Sequence, residues 1–242
     1  MIDFFINNLT SILSIEPVKE NETIIRNLCH KLINEMSLYQ ENGTNTEDIR
    51  KIRNSCLRHI RLLNFNKILG MRESDCLFRI CDLSSFLYNT VKASDILLTG
   101  NGLTANVQKF PPLTCPFDTH LMLSAVTCLI AVYSKLYTSG KITFTCSKSG
   151  TATLLLAYFE TDNLTKENHM NIEKEIAVLR KTASLHRGTL LGYVCKSTAC
   201  ICLSIKTKDN EHLQVICAPD YIDLLTDKTS DIYTGMSFIE EK

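Results

Sequence analysis

The stretch Thr23–Gln40, TIIRNLCHKLINEMSLYQ, carries a histidine, His30, near the middle of a helical pattern. Ile25, Leu28, Leu32, Met36 and Tyr39 recur at spacings of three and four, which predicts one apolar face turned to a partner. At about 100° per residue His30 falls off that stripe, on a polar flank with Arg26, Asn34 and Ser37. Asn34 sits one turn further on, nearly above His30. An imidazole offered to solvent can act as a nucleophile or carry a proton, and a neighbouring amide can orient what it meets. The plainer reading is an ordinary surface histidine on a packed helix.

Other groups offer less. His59 lies in a basic run on the next helix, without the neighbouring amide pattern. His120, His169 and His186 are isolated and read as capping, loop or junction residues. Eleven cysteines are scattered, with no CxxC pair. Cys200 and Cys202 read as alternate residues on one face of a strand. No His-Asp order accompanies any cysteine, so none reads as a nucleophile. The odd count without ligand spacing predicts buried thiols in a reducing compartment, the cytoplasm, and argues against disulfides and structural zinc. There is no P-loop and no dinucleotide glycine signature.

Composition sets bounds on these readings. The 242 residues suffice for one large domain or two small ones. Hydrophobic residues at 45% and charged residues at 21% suit an ordinary soluble protein. The formal net charge is zero, so no global field draws the chain to nucleic acid or to an acidic membrane. The first residues, MIDFFINNLTSILSIEP, lack a basic start and a small-residue cleavage site, and make a poor signal peptide. They suit an amphipathic helix. No stretch reads as membrane-spanning.

The elements that must position His30 follow in order. Pro17 ends the first helix. ENGTNTED (Glu41–Asp48) is a turn, with Gly43 as a helix stop and Asn45 or Thr46 as a cap. A second long helix runs from about Glu47 to Met71, with Ile49, Ile52, Cys56, Ile60 and Leu63 as its stripe. Arg50, Lys51, Arg53, Arg58, Arg61 and Lys67 read as its solvated surface; without interleaved aromatics they are no nucleic-acid platform. The two helices form a hairpin. A second copy would cover its remaining apolar face as a four-helix bundle, which predicts a homodimer.

After Met71 the pattern changes. Strand pieces are predicted at Leu77–Ile80, Ile96–Leu98 and Ala105–Gln108, with a helix at Leu83–Ala93 and a proline-bearing loop at Phe110–Phe117. Thr119–Tyr137 is a strongly apolar helix. Lys141–Ser147 and Ala152–Glu160 form a β-hairpin around Ser149-Gly150. After a polar loop, Thr161–Met170, come a helix at Ile172–Leu185 and a second hairpin, Gly188–Cys195 with Ala199–Lys206. Leu213–Cys217 reads as a strand and Pro219–Leu225 as a short helix. The fold class is α+β, with helices on one face of a mixed sheet. The expected divisions are an N-terminal helix (1–20), the helical hairpin (21–75) and the α/β part (76–242).

This order resembles a bacterial sensor histidine kinase core, reduced and degenerate, over roughly Asn21–Lys206. In that family a histidine helix and its partner dimerise into a four-helix bundle, followed by an ATP-binding α/β sandwich of the GHKL type. The family's histidine motif is His, acidic, apolar, basic, Asn or Thr, then Pro. Here it reads His30-Lys31-Leu32-Ile33-Asn34-Glu35. His30, Leu32 and Asn34 match; Lys31, Ile33 and Glu35 depart. Asp82–Lys92 looks like the connector into the sandwich. Phe117-Asp118 with Met122 resembles the start of the nucleotide-binding helix. The family's two asparagines on that helix fall on Cys128 and Val132, neither a hard oxygen ligand for magnesium. Tyr158–Thr165 resembles the Asp-x-Gly-x-Gly box; Asp162-Asn163 survive, but Leu164 and Lys166 stand at the glycine positions. IAVLRKTASLHRGTLLGYVCKSTACICLSI is similar to the final helix and hairpin, with Gly188 expected to let the chain turn from helix to strand.

The resemblance implies a scaffold without ATP binding or kinase activity, and so no cofactor and no metal. It implies a phosphorelay histidine phosphotransferase exchanging a phosphoryl group with response-regulator receiver domains. His30 would be the phosphoacceptor, Asn34 would orient the phosphoryl group or a water, and Lys31 would offset phosphate charge. The alternative is a non-catalytic pseudokinase adaptor that binds a receiver or a true histidine kinase and inhibits it. Neither reading involves nucleic acid or a membrane.

Overall fold

The computed structural model describes residues 22–41, 47–137, 139–160, 172–195, 198–206, 213–228 and 230–237. The expected N-terminal helix, the turn at 42–46 and the Asp162-Asn163 loop lie outside the described residues.

Helices α1 (Glu22–Glu41) and α2 (Glu47–Gly70) form the hairpin. The buried face of α1 is rotated from the expected stripe: Cys29 and Ile33 are fully buried, while Leu28 and Ile24 are exposed. The reason is tertiary. Cys29 and Ile33 meet Cys56, Leu57 and Ile60 of α2, with Ile25, Leu32, Ile52 and Tyr233 closing the cluster. Tyr233 belongs to a short helix near the end of the described chain, so α1 faces the rest of the fold as well as α2. The stripe on α2 holds at Cys56, Ile60 and Leu63, and Phe65 and Ile68 continue it into the main core. The side chains of Ser37, Tyr39 and Ile49 lie outside the described ones.

A 3₁₀ turn (Glu73–Asp75) leads to strand β1 (Arg79–Asp82). Helix α3 (Leu83–Leu98) starts at Asp82, whose carboxylate accepts from the Ser84 amide at 2.9 Å. It runs through Ile96–Leu98, which sequence periodicity had suggested as strand; Leu98 is fully buried and completes the helix's apolar face. Strand β2 (Leu103–Val107) follows. The expected loop ends as strand β3 (Thr114–Phe117), antiparallel to β1 with Pro116 opposite Ile80. This two-stranded sheet is all edge, which is where a strand accommodates proline.

Helix α4 (Thr119–Leu136) is capped by Asp118, whose carboxylate accepts from the amides of Leu77, His120 and Leu121. In length and mean hydropathy (1.4 over 18 residues) α4 does meet the measure of a membrane-spanning helix, contrary to the expectation. Here 72% of it is buried inside the fold, and Tyr133 donates from its hydroxyl to the Ala157 carbonyl at 2.7 Å.

Strands β4 (Gly140–Ser149) and β5 (Ala152–Glu160), helix α5 (Glu173–Leu185), and strands β6 (Leu190–Cys195) and β7 (Thr198–Lys206) complete the sandwich. The five-stranded sheet has the order β2-β4-β5-β7-β6, with β2 and β4 parallel and the other pairs antiparallel. Alternation turns Ile142, Phe144, Leu155, Ala157, Phe159, Leu203 and Ile205 inward, onto α3, α4 and α5. At the α5–β6 junction the left-handed residue is Arg187, φ 54°. Gly188 is needed for space: a Cβ there would lie 1.7 Å from the Ser204 carbonyl oxygen. Leu213–Cys217 is no strand; it makes one parallel bridge, Val215 to Ile80. Helix α6 (Tyr221–Thr226) matches the predicted short helix, and α7 (Asp231–Gly235), which carries Tyr233, was not foreseen.

Candidate functional site

His30 is half-buried, not fully offered to solvent. It lines an open cleft of about 530 Å³ between the hairpin and the sandwich. His120, Thr119, Asp227, Ser230 and Asp231 line the same cleft, with apolar side chains such as Phe86 and Leu224. Asn34 and Lys31, the other expected site residues, are exposed on α1. They are not among the residues that line this cleft.

His120 stands at the first turn of α4 and pairs with α7. Its Nδ1 lies 2.8 Å from Asp231 Oδ2. This hydrogen bond raises the His120 pKa above the ordinary histidine value, against the opposing effect of desolvation. The same bond lowers the Asp231 pKa. Asn64 of α2 donates to Asp231 Oδ1 at 3.4 Å and accepts from Arg26 Nη1 at 2.7 Å. The pair is thus tied to α1 one turn before His30. A second open cleft, of about 520 Å³, lies against the same pair and is lined by Arg26, Lys67, Asp75 and Asp118. Sequence reading had set His120 aside as isolated. Its partner is 111 residues away on a helix of five residues, which leaves no periodic signal.

The remaining histidines have structural roles where they are described. His59 Nδ1 lies 2.8 Å from the Ser55 carbonyl. His186 is buried, donates from Nδ1 to the Thr182 carbonyl at 2.8 Å and accepts the Asp118 amide at Nε2. It meets Phe78 edge-on, so it is a junction residue. His169 lies outside the described residues.

The positions that the resemblance assigns to a nucleotide are Cys128 and Val132 of α4. Both are fully buried. Burial pushes the Cys128 thiol up to about 12, and the Arg61 guanidinium stands beside it. Arg61 was read as solvated surface; instead it reaches from α2 to Glu175 of α5, Nη2 to Oε1 3.0 Å, where Lys135 of α4 also donates at 2.8 Å. A buried thiol, an isopropyl group and a guanidinium do not fit a magnesium–nucleotide. Among the described residues no group of three or more His, Cys, Asp or Glu side chains could hold a metal ion. The described cysteines are free thiols, and Cys29 and Cys56 hydrogen-bond each other across the hairpin.

No family model matches the sequence, and no curated protein matches it. Solved structures do. The Acinetobacter baumannii histidine kinase AdeS is similar at 14% identity and a TM-score of 0.54, over 74% of this chain and 95% of that one. The full-length ShkA structure, in complex with AMPPNP, is similar at 10% identity and a TM-score of 0.56, over 84% of this chain and 46% of ShkA. The chain therefore has a histidine-kinase-like fold, a helical hairpin joined to an ATPase-like α/β sandwich with a mixed sheet.

Proposed function

We propose that this chain is a phosphorelay histidine phosphotransferase of a two-component system, working in the cytoplasm without nucleotide. The observation that carries the reading is a contrast within one histidine-kinase-like fold. An accessible imidazole, His30, lines a cleft on the hairpin helix, while the nucleotide positions hold buried Cys128 and Val132. In the reaction, an unprotonated ring nitrogen of His30 forms the N–P bond. The acyl O–P bond of a receiver aspartyl phosphate breaks, and its carboxylate leaves with the electron pair. The receiver supplies magnesium and most of the charge stabilisation. Asn34, one turn along the exposed side of α1, orients the phosphoryl group or a water. Lys31 offsets its charge.

The chain acts as a homodimer in this reading. Ile24 and Leu28 lie one turn apart and are 66% and 38% exposed, an apolar strip that a second hairpin covers. Sedimentation at high concentration tests this; a clean monomer removes the bundle.

The deciding experiment is phosphoryl transfer from phosphorylated receiver domains to wild type and to His30→Ala. Acid-labile label that vanishes in the variant is the expected result. Receiver binding without label, equal in both proteins, makes the chain a pseudokinase adaptor instead.

A further inference from the structure

We infer that His120, held by Asp231, is a second functional group of the His30 cleft and presents an imidazolium to the phosphoryl group that His30 carries. The inference rests on the phosphotransfer reading and adds a residue on the sandwich to a site so far confined to the hairpin.

Three observations support it. The first is placement. His30 comes from α1 and His120 from α4, and both line one cleft of about 530 Å³. The second is charge. Asp227 and Asp231 line that cleft too, and no lysine or arginine is among the described residues lining it. Without His120, the Asp231 carboxylate would face an incoming phosphoryl dianion and repel it. With it, Asp231 is neutralised and a donor remains. The third is orientation. Nδ1–H of the imidazolium donates to Asp231 Oδ2 at 2.8 Å, which leaves Nε2–H as the second donor. Asp231 is itself held by Asn64, and Asn64 by Arg26, so the ring is positioned relative to the His30 helix. Charge-assisted hydrogen bonds from an imidazolium to phosphate are stronger than neutral ones.

The titratable and charged groups around His120 come from several packed elements, with Cys217 on the segment after β7. Asp231 lies on α7, Asp118 at the α4 cap and Lys67 on α2. Arg26 and His30 lie on α1, and Asp227 on the segment before α7. The carboxylates outweigh Lys67 in setting His120's charge, so it stays protonated to a higher pH than an ordinary histidine. The phosphoryl chemistry should therefore lose one favourable charge as pH rises through the raised His120 pKa.

The test uses the whole chain and phosphoramidate, a small donor that phosphorylates histidine directly. The rate and site of labelling are followed by intact and peptide mass, and the phosphohistidine by phosphorus NMR, from pH 5.5 to 9. Wild type, His30→Ala, His120→Ala, His120→Lys and Asp231→Asn are compared after circular dichroism shows that each folds. The expected result is label on His30, slowed roughly five- to tenfold in His120→Ala, in keeping with loss of one charge-assisted contact. His120→Lys should restore the rate and abolish its fall across the alkaline limb. Asp231→Asn should move that limb to lower pH. Equal rates and an unchanged pH profile in His120→Ala overturn this inference alone. No His30 label on wild type overturns the phosphotransfer reading and this inference with it.

Discussion

Replacing Glu175 by Gln keeps the shape of a buried side chain and removes its charge. The carboxylate is 3% exposed and its Oε1 accepts from Arg61 at 3.0 Å and from Lys135 at 2.8 Å. Arg61 is 8% exposed and Lys135 15%, so the substitution removes the charge that two largely desolvated cations share. Removing one member of a buried ion pair costs about 3–5 kcal/mol, because the partner charge stays buried and unneutralised. That range applies to Glu175→Gln, a large share of a typical folding free energy of about 5–15 kcal/mol. Arg61→Met gives a sharper comparison. It leaves Glu175 with Lys135, keeps an unbranched chain near the Phe65 ring, and should cost only about 1–2 kcal/mol. Urea unfolding followed by far-ultraviolet circular dichroism measures both. Because Arg61 belongs to the hairpin and Glu175 to the sandwich, Glu175→Gln should also speed proteolysis within α1 and α2. A loss below about 1 kcal/mol for Glu175→Gln, or an equal loss for Arg61→Met, would refute the claim that a buried charge triad joins the two parts.

Gly188→Ala should cost about 3 kcal/mol or more in the same assay, since its Cβ would overlap the Ser204 backbone of β7 and the strand must move; a loss under about 1 kcal/mol would show that the junction is loose. The His120–Asp231 pair should stabilise by no more than about 1 kcal/mol, because the histidine side chain is 77% exposed. Asp231's lowered pKa makes that contribution available above the unfolded carboxylate value of about 4, and it is lost as pH falls through the folded one. His120's raised pKa makes it fully present below the unfolded histidine value of about 6.5, and it is lost as pH rises through the folded one. The stability gap between wild type and Asp231→Asn should therefore be widest between about pH 4 and 6.5 and close at alkaline pH; a gap that widens there contradicts the pairing. Cys217, the exposed thiol among the described cysteines, should react with a thiol reagent in the folded protein long before Cys29, Cys56, Cys128 or Cys146, which need denaturant. Magnesium and ATP together should leave the melting temperature unchanged, and a clear upward shift would overturn the reading of Cys128 and Val132.

What the sequence revealed of this fold was local and periodic. A stripe at three- and four-residue spacing located α2, a strongly apolar run located α4, and alternation located β4 and β5, because each pattern reports one element's own burial. The misreadings share a different cause. Leu28 and Cys29 exchanged roles because α1 packs on Tyr233 as well as on α2. Arg61 lay in a basic run, and nothing near it announced a buried carboxylate 114 residues later. Ile96–Leu98 looked β-like in isolation, yet burial of Leu98 extends α3 to it. Half of the cleft was hidden in the same way: His30 stands on a long periodic helix, whereas His120 takes its meaning from a five-residue helix at the far end of the chain.

The contrast between Asp118 and Cys128 shows how this histidine-kinase-like fold completes α4 from its own side chains. Asp118 begins α4: its carboxylate takes up two amides of the first turn and the Leu77 amide, and its own amide donates to His186. All four bonds are internal, so the start of the helix asks nothing of a ligand. Cys128 and Val132, further along the same helix, point into packed interior, where a thiol and an isopropyl group add apolar contact without needing a hydrogen-bond partner. Asparagine at either place would need its amide satisfied inside the core or by something bound there. Placing asparagine at Cys128 and Val132 should accordingly lower stability, by about 1–3 kcal/mol at each position, without creating nucleotide binding. The guanidinium of Arg61 already stands beside Cys128, so cationic side chains of α2 and α4, Arg61 and Lys135, balance the charge on Glu175.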